Sequence, residues 1–258
     1  MELSLRGQRV VVSEAHQAFW EVFQAGKWEE ATLDTFDRHL NSSTVFLDIG
    51  AWIGPTTLYA AGRAKRVIAI EADPVAAGLL RTNIALNPLL AERIEIIERA
   101  VSPQGGTLRL GSKGSKGDSM SSVFFGEKEN SWEIETITPA EINTKLGDDE
   151  PVFLKMDIEG AEYHVLSGIR PLLERREIAA LVAFHPTFLP GNKALRWLKS
   201  LFMTQKAFLN FAGFTVFRVS KAGIHRPVLL NFLHRCGVVF FSADDTYLFL
   251  RIGSRPPA

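Results

Sequence analysis

Short apolar runs recur along the chain, and stretches with helical periodicity separate most of them. The runs are rich in β-branched residues, which is typical of strands that are buried on both faces of a parallel sheet. The predicted strands are Val45–Ile49, Arg66–Ile70, Ile94–Glu98, Val152–Met156 and Ile178–Phe184, followed by terminal strands at Val216–Val219 and Tyr247–Ile252. This alternation predicts an α/β domain.

Proline and glycine mark the ends of the predicted helices. Gly54-Pro55 begins one helix, because a proline in the first turn lacks an N–H that would have stayed unpaired there, and Gly62 ends it. Asp73-Pro74 begins the next helix, with Asp73 as its N-cap, and Asn87-Pro88 stops it.

Two further helical regions complete the prediction. One helix is expected from Ala161 to about Leu173, and Val11–Leu40 predicts two amphipathic helices ahead of the first strand. We therefore expect a helical extension over residues 1–44 and a catalytic or binding domain over residues 45–258.

The composition is that of an ordinary globular protein, with 258 residues of which 46% are hydrophobic and 22% charged. A single cysteine, Cys236, excludes an internal disulfide. The segment Met1–Gln8 lacks the apolar core of a signal peptide, and no uncharged run is long enough to span a bilayer. These features predict a soluble, cytoplasmic protein.

The net charge of zero hides a segregation of charge. Between Ile178 and Ala243 there is no Asp or Glu, whereas the same stretch has eight Lys or Arg residues. This basic, aromatic-rich C-terminal region, residues 186–243, predicts either an anionic partner or a solvated face above an aromatic core.

An anionic membrane is one such partner. The segment Lys193–Phe217 would lie on the membrane surface in a peripheral contact and present Trp197, Phe202, Phe208 and Phe211.

The first predicted strand runs into a glycine-rich turn, DIGAWIGP over residues 48–55, which leads into a helix. Doubly wound sheets bind nucleotides at such a turn. A dinucleotide fingerprint requires a second glycine where Trp52 stands, and the chain has no G-x-x-x-x-G-K-[ST] phosphate loop. NAD, FAD, ATP and GTP are therefore disfavoured, and S-adenosylmethionine, a nucleoside without a pyrophosphate, fits better.

Carboxylates and glycines near this turn suit that cationic ligand. Asp48 would order the turn and face the ammonium group, directly or through water, while Gly50 and Gly54 let the backbone approach. Glu71 ends the second strand, where an acid accepts ribose hydroxyls. The alternative is that the two glycines only permit a tight turn and that Glu71 lies on the surface.

Three ordered motifs carry a family resemblance. DIGAWIGPTTLYA over residues 48–60, EADP over residues 71–74 and KMDIEGAE over residues 155–162 resemble the FkbM family of S-adenosylmethionine-dependent methyltransferases. The resemblance covers about residues 45–184. It implies a class I, Rossmann-like, doubly wound sheet of seven strands with the last one antiparallel. It also implies methyl transfer to an oxygen, often in a sugar or a natural product.

The resemblance assigns the donor site. It implies donor contacts at Asp48, Gly50, Ala51, Gly54, Glu71, Ala72, Arg99, Ala100 and Asp157. Arg99 stands where the family more often has Asn, so a side-chain contact and a backbone contact with adenine both remain open. The loop around Gly117–Ser122 resembles a family segment near the acceptor, and its glycines permit either lid closure or a mobile hairpin tip.

Methyl transfer from a sulfonium needs alignment and a base near the acceptor. Asp157 and His185 follow the fourth and fifth predicted strands, and His185, with an ordinary pKa near ~6.5, is the favoured base. Asp157 or Glu159 would take the role otherwise. Lys155 lies on the same strand face as Asp157 and either orients a ligand with it or neutralises a structural carboxylate.

Glu162 is interpreted as structural because acids in a first helical turn favourably meet the helix dipole. Asp157, Glu159 and His185 together suit a divalent ion such as Mg²⁺, but no ligand spacing requires one, and no metal is predicted.

Two rival functions remain open. One is a protein that binds S-adenosylmethionine without turnover. The other is a nucleic-acid methyltransferase, which the lack of an N-P-P-Y-like tetrapeptide after the fourth strand disfavours. The expected acceptor is a small molecule or a glycan, with an anionic one favoured by the basic region, and no nucleic-acid partner is expected.

Overall fold

A twisted α/β sheet forms the centre of the molecule. The computed structural model describes residues 1–112, 117, 121–122, 131–189, 191–221, 223–225 and 245–251. The strands are β1 Glu2–Leu5, β2 Gln8–Val11, β3 Val45–Ile49, β4 Arg66–Ile70, β5 Ile94–Ile97, β6 Ala100–Val101, β7 Thr107–Ser112, β8 Ser121–Ser122, β9 Ser131–Ile137, β10 Val152–Met156, β11 Ile178–Phe184, β12 Phe214–Ser220, β13 Gly223–Ile224 and β14 Asp245–Arg251.

Helices cover both faces of this sheet. They are α1 Gln17–Gln24, α2 Glu30–His39, α3 Pro55–Ala61, α4 Pro74–Ala85, α5 Pro88–Ala91, α6 Pro139–Thr144, α7 Glu162–Val165, α8 Arg170–Leu173 and α9 Lys193–Leu209. Every residue of β3 and of β10 is buried, as the continuous apolar runs predict. Alternate residues of β3 join two different apolar clusters, one on each face of the sheet.

The strand order of the main sheet is β13-β12-β14-β11-β10-β3-β4-β5 among the described residues. The five strands from β11 to β5 are parallel, and β14 is antiparallel to both of its neighbours. The predicted mostly parallel α/β sheet is therefore confirmed. The carboxyl ends of the five parallel strands meet at one edge of the sheet, where all the candidate chemistry lies.

The first eleven residues form a β-hairpin that the sequence analysis did not predict. Strands β1 and β2 pair through a two-residue turn, Arg6-Gly7, in which both residues have positive φ. That backbone is the one a tight hairpin turn requires. The helices α1 and α2 follow as predicted, so the segment before β3 is not helical throughout.

The helix predicted from Ala161 to Leu173 is broken. It consists of α7, a short 3₁₀ turn over Leu166–Gly168, and α8. Pro171 lies in the first turn of α8, where its missing N–H does no harm, but it cannot continue a preceding helix. A small sheet of order β6-β9-β7-β8, which was also not predicted, lies between β5 and β10 in the sequence.

Helix α9 corrects part of the predicted membrane surface. Phe208 and Phe211 are buried in the core against β14, where they pack on Phe249. Phe202 is exposed. The side chain of Trp197 lies outside the described residues, as do most of the later positions of the basic region, including Cys236. None of the described helices is both long and apolar enough to cross a membrane.

Two asparagines, Asn83 in α4 and Asn87 just before α5, fasten the N-terminal segment to the rest of the protein. Asn83 Oδ1 accepts from the Ser13 amide at 2.8 Å, and its Nδ2 donates to the Ile53 carbonyl at 2.9 Å. One turn later, Asn87 exchanges two hydrogen bonds with the backbone of Val11. Because Ile53 belongs to the glycine-rich turn, Asn83 connects the N-terminal segment directly to that turn.

Replacing Asn83 with alanine tests this connection. We expect Asn83→Ala to lower the free energy of unfolding by about 2 kcal/mol or more, because two hydrogen bonds are lost and their backbone partners are left in the interior. The measurement is urea unfolding followed by circular dichroism. Thr82→Ala, at an exposed position of the same helix, is the control and should change stability by less than about 0.5 kcal/mol. Equal losses in both variants would contradict the connection.

Candidate active site

The carboxyl edge of the parallel strands gathers the residues predicted from the sequence. They come from the ends of β3, β4, β5, β10 and β11, which are consecutive neighbours in the order β11-β10-β3-β4-β5. The site therefore spans several distant parts of the chain, as expected for an open α/β sheet.

The turn after β3 is held in an unusual backbone conformation. Gly50 has φ of 84°, and a Cβ at this position would lie 2.0 Å from the carbonyl oxygen of Asp157. The amides of Gly50 and Ala51 both donate to the carbonyl of Ile70, the last residue of β4. Glycine is thus required at position 50 by contacts within the protein, and it brings the turns after β3 and β10 into direct contact.

Asp48 lies beneath this turn and is completely buried. Its Oδ2 accepts from the hydroxyls of Thr56 and Thr57 at 2.8 and 2.7 Å, which fixes the first turn of α3. The prediction that Asp48 orders the turn agrees with this geometry. Because its side chain has no exposed surface, the proposed direct contact with a donor ammonium group does not.

The ammonium group of Lys155 lies next to Asp48. Lys155 Nζ is 3.3 Å from Asp48 Oδ1 and donates to the Gly50 carbonyl at 3.0 Å, whereas Asp157 Oδ2 is 3.9 Å away. The sequence analysis named Asp157 as the obvious partner, but the parallel register places Lys155 opposite Asp48. Burial alone would lower the pKa of Lys155, but the surrounding carboxylates outweigh it and raise that pKa above its ordinary value.

Glu71 directly follows β4 and is a buried carboxylate, so the surface alternative is wrong. Its Oε2 accepts from the Trp52 amide and its Oε1 from the Asp73 amide, both at 2.7 Å. Burial raises the pKa of Glu71 to about 7, against the opposing effect of these two hydrogen bonds. Glu71 therefore links the turns that follow β3 and β4.

Asp73 caps α4 as predicted. Its Oδ1 accepts from the amides of Val75 and Ala76, and its Oδ2 accepts from the Gly117 amide at 2.8 Å. The carbonyl of Gly117 in turn accepts from the indole N–H of Trp52 at 3.1 Å. Gly117 thus lies over the turn after β4, but the remainder of the predicted lid motif, residues 118–120, is outside the described residues.

The predicted adenine contacts lie at the end of β5. The Arg99 side chain is exposed and pairs with Glu135 at 3.0 Å, and Ala100 is buried in β6 beside β9. Ala72 is half-buried, and its carbonyl accepts from the Trp132 indole at 3.3 Å. With Arg99 engaged on the surface, a backbone contact with adenine fits this edge better than a side-chain contact.

His185 lies immediately after β11 and is held by two acids. Its Nδ1 is 2.9 Å from Glu162 Oε1, and its Nε2 is 3.6 Å from Asp157 Oδ1. Glu162 is fully buried and also accepts from the amide of Ile158. Sequence reasoning treated Glu162 as structural on helix-dipole grounds and missed its contact with His185, for which no local signal exists because 23 residues separate the two.

These acids change the proton affinity of His185. Burial alone would lower the pKa, but the hydrogen bond and negative charge of Glu162, helped by Asp157, raise the pKa of His185 to about 10. His185 is therefore an imidazolium at neutral pH in the protein without ligands. The predicted pKa near ~6.5 is wrong for this state.

Asp157, Glu159 and His185 come together as the sequence analysis proposed. One ligand atom from each lies within 4.8 Å of the others, so the set is compact enough to hold a divalent ion. In the protein without ligands, the ammonium group of Lys155 and the protonated ring of His185 already lie beside the Asp157 carboxylate as two positive charges.

A cavity of about 210 Å³ opens between these groups. The turn after β3 forms one side through Gly50, Ala51 and Trp52, and its polar side consists of Lys155, Asp157, Glu159 and His185. A further part of the wall is formed by Phe19, Trp28 and Glu29, which belong to the N-terminal segment and were not predicted as site residues.

The aromatic part of this wall is ordered by ring contacts. The Phe19 ring packs edge-on against Trp52 at 4.7 Å and against Trp28 at 5.3 Å, so the N-terminal segment contacts the glycine-rich turn after β3. Among the described residues, five non-glycine residues have positive φ, and three of them, Glu29, Trp52 and Glu159, line this cavity. Strained backbone of this kind concentrates at functional sites.

Solved structures with a similar fold are distant in sequence. An FkbM methyltransferase from Methylobacillus flagellatus KT is 18% identical with a TM-score of 0.49, and the match covers 81% of this chain and 44% of that one. A Streptococcus mutans protein solved in complex with SAH is 14% identical with a TM-score of 0.47, covering 86% and 97%. An rRNA methylase from Streptococcus thermophilus is 13% identical with a TM-score of 0.45, covering 85% and 93%.

The family comparison is more specific. No curated protein matches the sequence significantly. The family model of the methyltransferase FkbM domain matches residues 48–208, which include the glycine-rich turn after β3, Glu71, the Lys155–Glu162 motif and His185. Since this match spans well over half of the sequence and contains the edge of the sheet described above, the chain belongs to the FkbM family of methyltransferases.

Proposed function

We propose that this protein transfers the methyl group of S-adenosylmethionine to a hydroxyl oxygen of an uncharged, sugar-like acceptor. The observation that carries the proposal is the cavity that joins the glycine-rich turn after β3 to the His185–Glu162 pair. Donor recognition and proton removal, the two requirements of O-methylation, then have residues at one site.

The donor suits the charges and shape of this edge. The turn at Gly50–Trp52 receives the amino-acid end of the donor, and the buried carboxylate of Glu71 accepts the ribose hydroxyls through lone pairs that its two backbone hydrogen bonds leave available. Ala72 and Ala100 would lie beside the adenine. Asp157 and Glu159 supply negative charge for a sulfonium, which carries the methyl group that is transferred.

The acceptor side favours a polyhydroxylated molecule without negative charge. Phe19 and Trp28 provide an apolar face on which the C–H groups of a sugar ring can pack, and Glu29, Asp157 and Glu159 accept hydrogen bonds from hydroxyls. An anionic acceptor would meet these carboxylates. The basic C-terminal region therefore requires a different explanation from acceptor binding.

Proton removal follows from the arrangement of His185. Glu162 holds the Nδ1–H and so directs Nε2 toward Asp157 and the cavity. A cationic donor in the same cavity lowers the pKa of the imidazolium by repulsion between like charges. His185 would then release its Nε2 proton to solvent when the donor binds and would accept the hydroxyl proton as the methyl group leaves sulfur and bonds to oxygen, while Lys155 keeps the floor of the cavity in place.

The test of the proposal is direct. Calorimetry with S-adenosylmethionine and S-adenosylhomocysteine should detect binding of both. Incubation of the protein with methyl-labelled donor and a panel of sugars, glycosides and hydroxylated natural products should give a product methylated on oxygen.

Three other outcomes would point elsewhere. Labelling of RNA instead would establish the rival nucleic-acid function. Loss of turnover on addition of EDTA would show that Asp157, Glu159 and His185 hold a metal. Donor binding without any turnover would leave a binding protein.

Glu71 should make donor binding depend on pH. Its carboxyl group titrates near pH 7, and a ribose favours the ionised form, so affinity for S-adenosylhomocysteine should increase as the pH rises from about 6 to 8. Glu71→Gln should weaken binding about tenfold at pH 8 and remove the pH dependence. Glu98→Gln, at an exposed acid on the same edge, is the calorimetric control. A Glu71→Gln protein with wild-type affinity at pH 8 would exclude Glu71 from the donor site.

His185 should be required for turnover and not for donor binding. We expect His185→Gln to reduce kcat by ~10² or more while changing the donor Kd by only a few-fold, because a general base acts in the transition state. Steady-state kinetics with labelled donor measures the effect. His164→Gln, at an exposed histidine, should leave kcat unchanged. Normal turnover by His185→Gln would transfer the base role to Asp157 or Glu159.

The effect of the donor charge and of Glu162 on the pKa of His185 can be measured by NMR. In ligand-free protein the His185 ring should titrate near pH 10, and its signal is identified by its absence in His185→Gln. S-adenosylmethionine should lower this pKa more than S-adenosylhomocysteine does, because only the former carries the sulfonium charge. Glu162→Gln should also lower it, since the charge that stabilises the imidazolium is removed. Identical values with both ligands would contradict proton release on donor binding.

A further inference from the structure

Helix α9 has an apolar stripe on its outer face. Leu195, Leu198, Phe202 and Leu209 are 43%, 44%, 67% and 71% exposed. With about 3.6 residues per turn, these four positions fall within about 60° of one another around the helix axis. They form a single line along the helix and are not scattered contacts.

The opposite face of the same helix fixes it to the protein. Ser200, Thr204, Ala207 and Phe208 are buried, and they lie on the side of the helix that faces away from the apolar stripe. Phe208 packs against Tyr247 and Phe249 of the sheet. The helix is therefore anchored by its own core face, and the stripe presents apolar surface on the other side.

The charges around the stripe all have one sign. The sequence of α9 contains Lys193, Arg196, Lys199 and Lys206 and no acidic residue. Lys199 and Lys206 follow the stripe along one flank at the same helical spacing. A helix with an apolar line, flanking lysines and no carboxylates is typical of segments that lie in the interface of an anionic bilayer.

We propose that α9 docks this protein on an anionic membrane surface, with Leu195, Leu198, Phe202 and Leu209 inserted among the lipid chains. Lys199 and Lys206 then meet the lipid phosphates at the level of the headgroups. A second copy of the chain fits this face poorly, because a symmetric contact through α9 would place lysines against lysines. The inserted residues differ from those the sequence pattern suggested, since Phe208 and Phe211 belong to the core.

Vesicle co-sedimentation of the full chain tests the proposal. The protein should sediment with vesicles in which about a third of the phosphatidylcholine is replaced by phosphatidylserine, and binding should weaken at least tenfold on vesicles of phosphatidylcholine alone and in high salt. Absence of binding to the phosphatidylserine vesicles would overturn the proposal. Binding that ignores both lipid charge and salt would overturn the role of the lysines.

Paired variants locate the surface. Phe202→Ser with Leu209→Ser, and separately Leu195→Ser with Leu198→Ser, should each reduce vesicle binding about tenfold or more, because exposed apolar area is the part that enters the bilayer. Leu89→Ser is the matched control, since Leu89 is 82% exposed on α5, and it should bind as the wild type does. Circular dichroism and thermal melting establish that each variant is folded.

Two further outcomes decide whether α9 is the docking surface and whether a membrane or a second copy of the chain occupies it. Wild-type vesicle binding by both paired variants would exclude α9 as the docking surface. A dimer in light scattering that the paired variants dissociate, together with no vesicle binding by the wild type, would identify a second copy as the occupant. Because vesicle binding requires neither donor nor acceptor, its failure leaves the proposed methyl transfer untouched.

Discussion

The buried ion pair between Lys155 and Asp48 is the interaction on which the rest of the site depends. Parallel pairing of β10 with β3 places the two residues side by side, and the same ammonium also holds the Gly50 carbonyl. Asp48 extends the connection to α3 through Thr56 and Thr57. Removing one partner of such a pair typically costs about 3–5 kcal/mol, because the other charge is left buried. One pair of charges thus fixes two strand ends, a turn and the beginning of a helix.

A second set of charges determines what this rigid floor can accept. Asp157 and Glu159 face the cavity with Glu29 at its opposite wall, while Glu162 holds His185 from behind. Carboxylates in a partly enclosed site favour a cation, and their field is in place before any ligand arrives. The same carboxylates raise the pKa of His185, so the charge of this side chain depends on the charges around it.

Sequence reasoning found the parts of the molecule that local patterns encode. Periodicity predicts the apolar runs of β3 and β10, and turn chemistry predicts the caps at Asp73 and Gly54. The geometry of parallel sheets predicts the strand-end positions of Glu71 and His185.

The features that sequence reasoning missed are contacts between distant segments. The sequence around Glu162 and around His185 gives no indication that these side chains are in contact. No motif connects Phe19 or Trp28 with Trp52. Alternating apolar residues on both sides of Arg6-Gly7 indicate a hairpin turn. Only helices were predicted before β3, because the segment that follows has a helical period. The main departure in chemistry, the charge on His185, arises from a buried carboxylate 23 residues away.

The origin of the aromatic wall has a consequence for how the family should be compared. The family match begins at Asp48, yet Phe19, Trp28 and Glu29 lie upstream of it and still line the candidate cavity. A comparison limited to the matched core therefore leaves out part of the cavity wall. Expression of residues 48–208 alone would remove these three residues and open the cavity to solvent on one side.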